Sequence, residues 1–252
     1  MSNFNDSIKN ISIREFLIVI ILTYLIWFAV NSYVHPISAN WIYIFIIAYF
    51  AYKLRNSVDD FKNDLSNIFS GISIKQVLLI VASNILFSYG MLYFSDFLIS
   101  IPLVNGIVNF SFTSMSLIAG VGSFLTIVAV SPICEEMIFR GIFLNKLKLI
   151  VPTVFALLIS SLLFAALHSF GSIFSAFVFA MCMGVFYLKT ENIFVPIFAH
   201  FLNNAVAETI VHADCQNMLF VNEGVVLIVS ILAVLSFIVI SFFLYNELNN
   251  FK

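Results

Sequence analysis

Long apolar runs separated by short polar stretches dominate the chain. Their pattern predicts helices over 15–31, 38–54, 74–100, 115–144, 152–170, 172–188, 192–212 and 224–246. A helix needs about 20 apolar residues to cross the hydrocarbon core of a bilayer, and most of these runs approach that length. A transmembrane β-barrel would instead show weak alternation in strands of about ten residues. The first run, Phe16 to Val30, lacks a small-residue cleavage site and is followed by further spans, so it reads as a retained helix rather than a signal peptide. Short connections around Gly171 and Asn192 make the fifth, sixth and seventh helices sequential antiparallel neighbours. The most polar stretch, Lys53 to Lys75, reads as a solvated loop with room for a surface helix. No internal repeat and no low-complexity segment interrupts the pattern.

Composition sharpens this picture. Of 252 residues, 62% are hydrophobic and only 10% charged, and thirty are Phe. A soluble domain averages about 45–50% apolar and about 25% charged residues. Mean hydropathy is +1.09. The fold class is therefore all-α, a polytopic membrane helix bundle of about eight transmembrane helices, which excludes most soluble enzymes. One integral domain is expected. Residues 1–114 would supply the first three helices and a cytoplasmic loop, 115–212 a core of helices four to seven, and 213–252 the last helix. A net charge of −2 and a pI near 6.0 offer no basic surface for nucleic acid. The three cysteines, Cys134, Cys182 and Cys215, are odd in number and lack paired spacing, so neither a disulfide framework nor a zinc knuckle is expected.

The basic residues set an orientation. Lys9 and Arg14 precede the first helix, while Lys53, Arg55, Lys62 and Lys75 lie between the second and third. Arg140, Lys146 and Lys148 mark the junction of the fourth and fifth, Lys189 follows the sixth, and Lys252 closes the sequence. In an eight-helix layout all eleven fall on one side, and the alternate loops around His35, Pro102, Ser169 and Asp214 have none. The positive-inside rule then predicts a multi-pass cell-membrane protein with both termini cytoplasmic. Seven or nine helices would break the alternation.

Against this background, polar residues inside apolar runs carry the functional signal. A charge at mid-bilayer costs about 2.5–3.5 kcal/mol on insertion scales. Three clusters stand out: Glu135-Glu136 with Arg140, Phe164 with His168, and His200 with Asn203 and Asn204. On a helix, Glu136 and Arg140 share a face in the favourable acid-before-base order, and pairing makes both tolerable. Glu135 points about 100° away and lacks that partner, which suits a general base or acid. A charged helix end at the interface is the plainer reading of this cluster. Either histidine alone is more often an interhelical hydrogen-bond partner than a catalyst. Two of them beside a double glutamate reverse that weighting. Asn204 lies one turn after His200, so the two could donate to a developing oxyanion. Glu208 extends that face near its outer end, while Asp96 and Asp214 read as solvated interface residues.

Depth agrees for two of the clusters. Glu135 lies eleven residues before Lys146, and His200 eleven after Lys189. Both therefore sit roughly 16 Å from the cytoplasmic edge. His168, counted from Thr153, lies about 22 Å in, level with Asn204, so tilt or an irregular turn near the fourth helix must close the gap.

In this order and spacing the clusters resemble the CPBP family, the CAAX prenyl endopeptidases and bacteriocin-processing or immunity proteins often called Abi. The family pattern is E-E-x-x-x-R, F-x-x-x-H and H-x-x-x-N/D on successive membrane helices. Here it reads Glu135-Glu136…Arg140, Phe164…His168 and His200…Asn204, with Gly141 after the arginine. The resemblance covers about residues 115–212; the first three helices carry only hydrophobicity. It implies intramembrane peptide-bond hydrolysis. Glu135 would activate water with His168 assisting, and His200 and Asn204 would stabilise the oxyanion. Glu136 and Arg140 would hold the motif helix, with Phe164 in support. Metal-independent catalysis is the leading reading, with no cofactor required. Zinc on Glu135, His168 and His200 is the alternative, since the family has also been described as metalloproteases. No H-E-x-x-H pair is present, and the ligands would come from three helices.

The expected partner is a membrane-associated peptide or protein substrate within the lipid bilayer. The Ile- and Asn-rich composition suggests a low-GC bacterium, where a peptide pheromone, bacteriocin or membrane-protein substrate fits better than a lipidated CAAX tail. Two other readings compete. One is a non-catalytic membrane scaffold that confers immunity or regulates by binding a receptor or sensor kinase. The other is a transporter with a Glu/His relay, against which the lack of repeated halves counts.

Overall fold

The computed structural model describes residues 4–33, 41–101, 124–168, 172–214 and 216–251, which are helical throughout apart from turns and contain no strand. All eight predicted apolar helices are present. They are α2 (Ile13–Tyr33), α3 (Trp41–Lys53), α5 (Ile74–Ser100), α6 (124–147), α7 (Thr153–Ala165), α8 (Ile173–Thr190), α9 (Phe194–Ala213) and α11 (Glu223–Leu248). The described residues also hold three short helices, α1 (Phe4–Lys9), α4 (Val58–Ser66) and α10 (Met218–Val221), and a closing 3-10 turn, Asn249–Phe251. The protein is thus a multi-pass helical membrane bundle. Five of its helices, α2, α5, α8, α9 and α11, are long and apolar enough to cross a membrane. The 13-residue α3 and α7 reach only about 20 Å each. The expected start of the second helix at 38–40, of the fourth at 115–123, and the loops around His35, Pro102 and Ser169 lie outside the described residues, as do Cys215 and Lys252.

The bundle is built around α8, which is buried along most of its length and packs against α5, α7, α9 and α11. The longest seam joins α5 to α11, and Gly90 permits it. A Cβ at that position would lie 2.4 Å from the Cβ of Ala233, so only hydrogen fits between the two helices. Gly90→Leu is therefore expected to destabilise the bundle by about 1–3 kcal/mol, the usual penalty of overpacking. A lower melting temperature in detergent is the readout. Gly90→Ala should lose less, and Ala233→Gly in the same chain should recover part of that loss.

Several lysines find partners at one end. Lys53 pairs with Glu15 at 2.7 Å, Lys146 donates to the backbone oxygen of Lys9 at 2.6 Å, and Lys189 pairs with Glu247. The surface helices α1 and α4 close this end. Phe4 N donates to Asp64 at 3.0 Å, and Ile193 N donates to the side chain of Asn5 at 3.1 Å. Phe4, Phe61 and Phe194 pack with ring centroids 4.9–5.5 Å apart. Burial here pushes the Asp64 carboxyl up from its ordinary range, against the opposing Phe4 N–H. The turn from α8 to α9 is tight, as predicted. Glu191 ends α8 in the left-handed conformation (φ 48°), and Asn192 donates to the Asp64 carbonyl at 2.7 Å while accepting from Phe194 N at 2.9 Å.

The motif helix α6 is irregular. It widens into π-helix over Thr126–Val130 and Met137–Leu144, on either side of a regular stretch, Ser131–Glu136. Pro132 accounts for the first irregularity, because it lacks the N–H that would continue the ladder. In the second, side chains serve the backbone oxygens. Asn145 Nδ2 lies 3.0 and 2.9 Å from the Arg140 and Gly141 oxygens, and Ser160 Oγ of α7 donates to the Phe139 oxygen at 3.0 Å. Such widened turns recur at functional sites.

Candidate active site

Four helices converge on the glutamate pair. The central element is a chain of charged and polar groups running Arg140, Glu136, His200, Glu135. Arg140 Nε lies 3.0 Å from Glu136 Oε2, with both side chains essentially buried. Glu136 Oε1 lies 2.8 Å from His200 Nδ1. His200 Nε2 in turn lies 3.9 Å from Glu135 Oε2. The predicted Glu136–Arg140 pair is therefore present, and His200 of α9 bridges the two adjacent carboxylates of α6. Arg140 is also held by Ala180 O of α8 at 3.0 Å and by the Phe164 ring, 4.9 Å from the guanidinium carbon. This cation–π contact gives Phe164 a defined part in the site. Phe179 and Phe164 flank the His200 ring at 4.8 and 6.0 Å.

Hydrogen bonding assigns the imidazole protons. Ionised Glu136 can only accept, so His200 Nδ1 carries hydrogen and Nε2 faces Glu135. His200 Nε2 and Glu135 Oε2, 3.9 Å apart, are too far apart for a direct hydrogen bond and close enough to share a water.

The remaining predicted residues sit at the margin. The regular part of α7 ends at Ala165 rather than at 170, and His168 follows in a tight turn, its N–H bonded to Ala165 O at 3.0 Å. His168 is exposed, with its ring 4.7 Å from that of Phe164. Its Nδ1 lies 3.0 Å from Phe164 O, an acceptor only, so Nδ1 carries hydrogen. Asn204 Nδ2 donates to Ile127 O of α6 at 2.9 Å, and Asn203 donates to Asn204 Oδ1 at 3.3 Å, which fixes the orientation of the carboxamide. Glu208 pairs loosely with His212 at 3.8 Å, as a peripheral residue.

Two residues beside Glu135 went unnoticed in the sequence. Ser131 and Tyr43 of α3 both hydrogen-bond its Oε1. Ser131 stands four residues before Glu135, so helical spacing alone could have indicated it. Tyr43 lies in a run of apolar residues and carried no such signal.

Among the described residues, no three His, Cys, Asp or Glu side chains converge to hold a metal ion. Glu135, His168 and His200 as placed do not fit a three-ligand zinc centre, and no step below passes through a metal. An apolar groove of about 230 Å³ lies between α6 and α9, walled by Ile133, Ile197 and Phe201 and bordered by Leu65 and Ile68.

Residues 117–206 match the family model described as Rce1-like, type II CAAX prenyl endopeptidase. The match spans all three motifs and supports the family resemblance read from them. No curated protein and no solved structure matches the chain.

Proposed function

We propose, from the Rce1-like segment and the carboxylate–imidazole chain it contains, that this protein is an intramembrane CAAX-type endopeptidase. It would hydrolyse a peptide bond of a membrane-associated peptide or protein, in bacterial peptide processing or bacteriocin self-immunity. The observation that carries this reading is the bridging of Glu135 and Glu136 by His200 inside the bundle. A structural ion pair needs only Glu136 and Arg140. The second glutamate, facing the open nitrogen of the same imidazole, adds a proton site with no structural necessity.

A water hydrogen-bonded to Glu135 Oε2 attacks the scissile carbonyl carbon, and its proton passes to Glu135. The new oxyanion accepts from protonated His200 Nε2 and from the second hydrogen of Asn204 Nδ2, the first being held by Ile127 O. Glu136 and Arg140 keep the imidazole oriented and its charge balanced. The proton then moves from Glu135 to the leaving nitrogen as the C–N bond breaks, giving a carboxylic acid and an amine. His168 Nε2, an acceptor, assists at the rim by orienting the incoming water. The apolar α6–α9 groove supports lateral approach of a hydrophobic substrate. The basic end would face the cytoplasm, with both termini there and eight crossings in all.

The test is hydrolysis in vesicles. Purified protein should cleave an apolar peptide followed by mass spectrometry, and His200→Ala should not. Activity should persist in phenanthroline, with well under one zinc per chain by elemental analysis. Stoichiometric zinc, with activity restored only by adding it back, would overturn the metal-free mechanism. Intact folded protein that cleaves nothing would favour a binding role.

A further inference from the structure

Glu135 is held from outside the segment that carries the motifs. Tyr43 OH lies 3.4 Å from Glu135 Oε1, Ser131 Oγ bonds the same oxygen, and the two hydroxyls are 3.3 Å apart. Three oxygens in mutual contact share two hydrogens, and the ionised carboxylate, which has none, must accept. Either arrangement of the two hydrogens directs a donor at Oε1. None is directed at Oε2, which faces His200 Nε2. The carboxylate is thus differentiated: one oxygen anchored, the other presented to the site. The anchoring helix is itself fastened at this level, since Cys134 Sγ reaches Tyr43 O at 3.7 Å.

We propose that Tyr43 and Ser131 are positioning residues that clamp Oε1 of Glu135, so that Oε2 alone takes the proton from water. The clamp rests on the hydrolase reading for its role, and on the contacts alone for its existence. It makes α3, outside residues 117–206, part of the working site. A carboxylate free to rotate would present either oxygen at variable distance, and misplacement of about 1 Å can cost about 10²-fold in rate.

The experiment compares full-length wild type, Tyr43→Phe, Ser131→Ala and Ser131→Thr in vesicles. Tyr43→Phe and Ser131→Ala should each lower kcat about 10-fold, with KM within about twofold and melting temperature unchanged. Ser131→Thr, which keeps the hydroxyl, should recover most of the rate. Infrared difference spectra, with the Glu135 carboxylate bands assigned by their loss in Glu135→Gln, should show those bands shifted in Tyr43→Phe. That readout does not depend on turnover. If wild type cleaves nothing yet the bands shift, the hydrolase reading fails and the clamp stands. Unshifted bands, or rates within twofold of wild type in both hydroxyl-deleted variants, would overturn the clamp. So would a fall in melting temperature that accounts for the lost activity.

Discussion

Glu135→Gln is expected to lower turnover about 10²–10⁴-fold, the usual loss of a general base, and to leave the melting temperature within a degree or so of wild type. The reason lies in what glutamine retains. Its carbonyl oxygen can still accept from Ser131 and Tyr43, and its size matches the original side chain. Glu135 is partly accessible, with 19% of its side chain exposed, so no buried partner is stranded when its charge is removed. Only the capacity to take a proton from water disappears. Paired measurements of vesicle turnover and thermal unfolding decide the matter. Turnover within tenfold of wild type would remove Glu135 from the role of base.

Arg140→Ala should do the converse. It strands Glu136, whose carboxylate is wholly buried, and deprives the Ala180 oxygen of its donor. Breaking a buried pair on one side costs about 3–5 kcal/mol, a large part of the stability of an ordinary protein. Lower abundance in the membrane and a lower melting temperature are the expected readouts. Arg140→Lys keeps the charge but cannot reach Glu136 and Ala180 together in the same planar geometry, so it should fall between. Adding Glu136→Gln to Arg140→Ala removes the stranded charge and should recover part of the loss. A melting temperature unchanged by Arg140→Ala would mean that the pair does not hold the motif helix.

The sequence made the helices legible because a bilayer imposes one requirement on every span, an unbroken apolar run. Polar residues that survived inside those runs then pointed to α6, α7 and α9. Three features escaped this reading for separate physical reasons. The second π-helical stretch of α6 has Ser160 and Asn145 reaching its backbone oxygens, which no periodicity records. The early end of α7 leaves His168 in a turn, though the apolar run continues past Ala165 without a glycine or proline to stop it. Tyr43 belongs to a helix whose other residues are chosen by lipid and packing. It is one of three tyrosines on that helix, with Tyr49 and Tyr52, and nothing in their spacing singles it out. The bridging of both glutamates by His200 was equally invisible, because it depends on how α6 and α9 face each other.

The latch formed by α1 also constrains the order of assembly. Asn5 and Ile193, joined by a hydrogen bond, are 188 residues apart in sequence. Six residues are too few to hold a helix in isolation, so α1 cannot form before its docking surface exists. At translation rates of about 5–20 residues per second, that surface emerges about 10–40 seconds after α1 is made. The earliest part of the chain is therefore among the last to settle. A segment this short can open without the rest of the bundle, so hydrogen exchange at Phe4 to Lys9 should outpace that of α8.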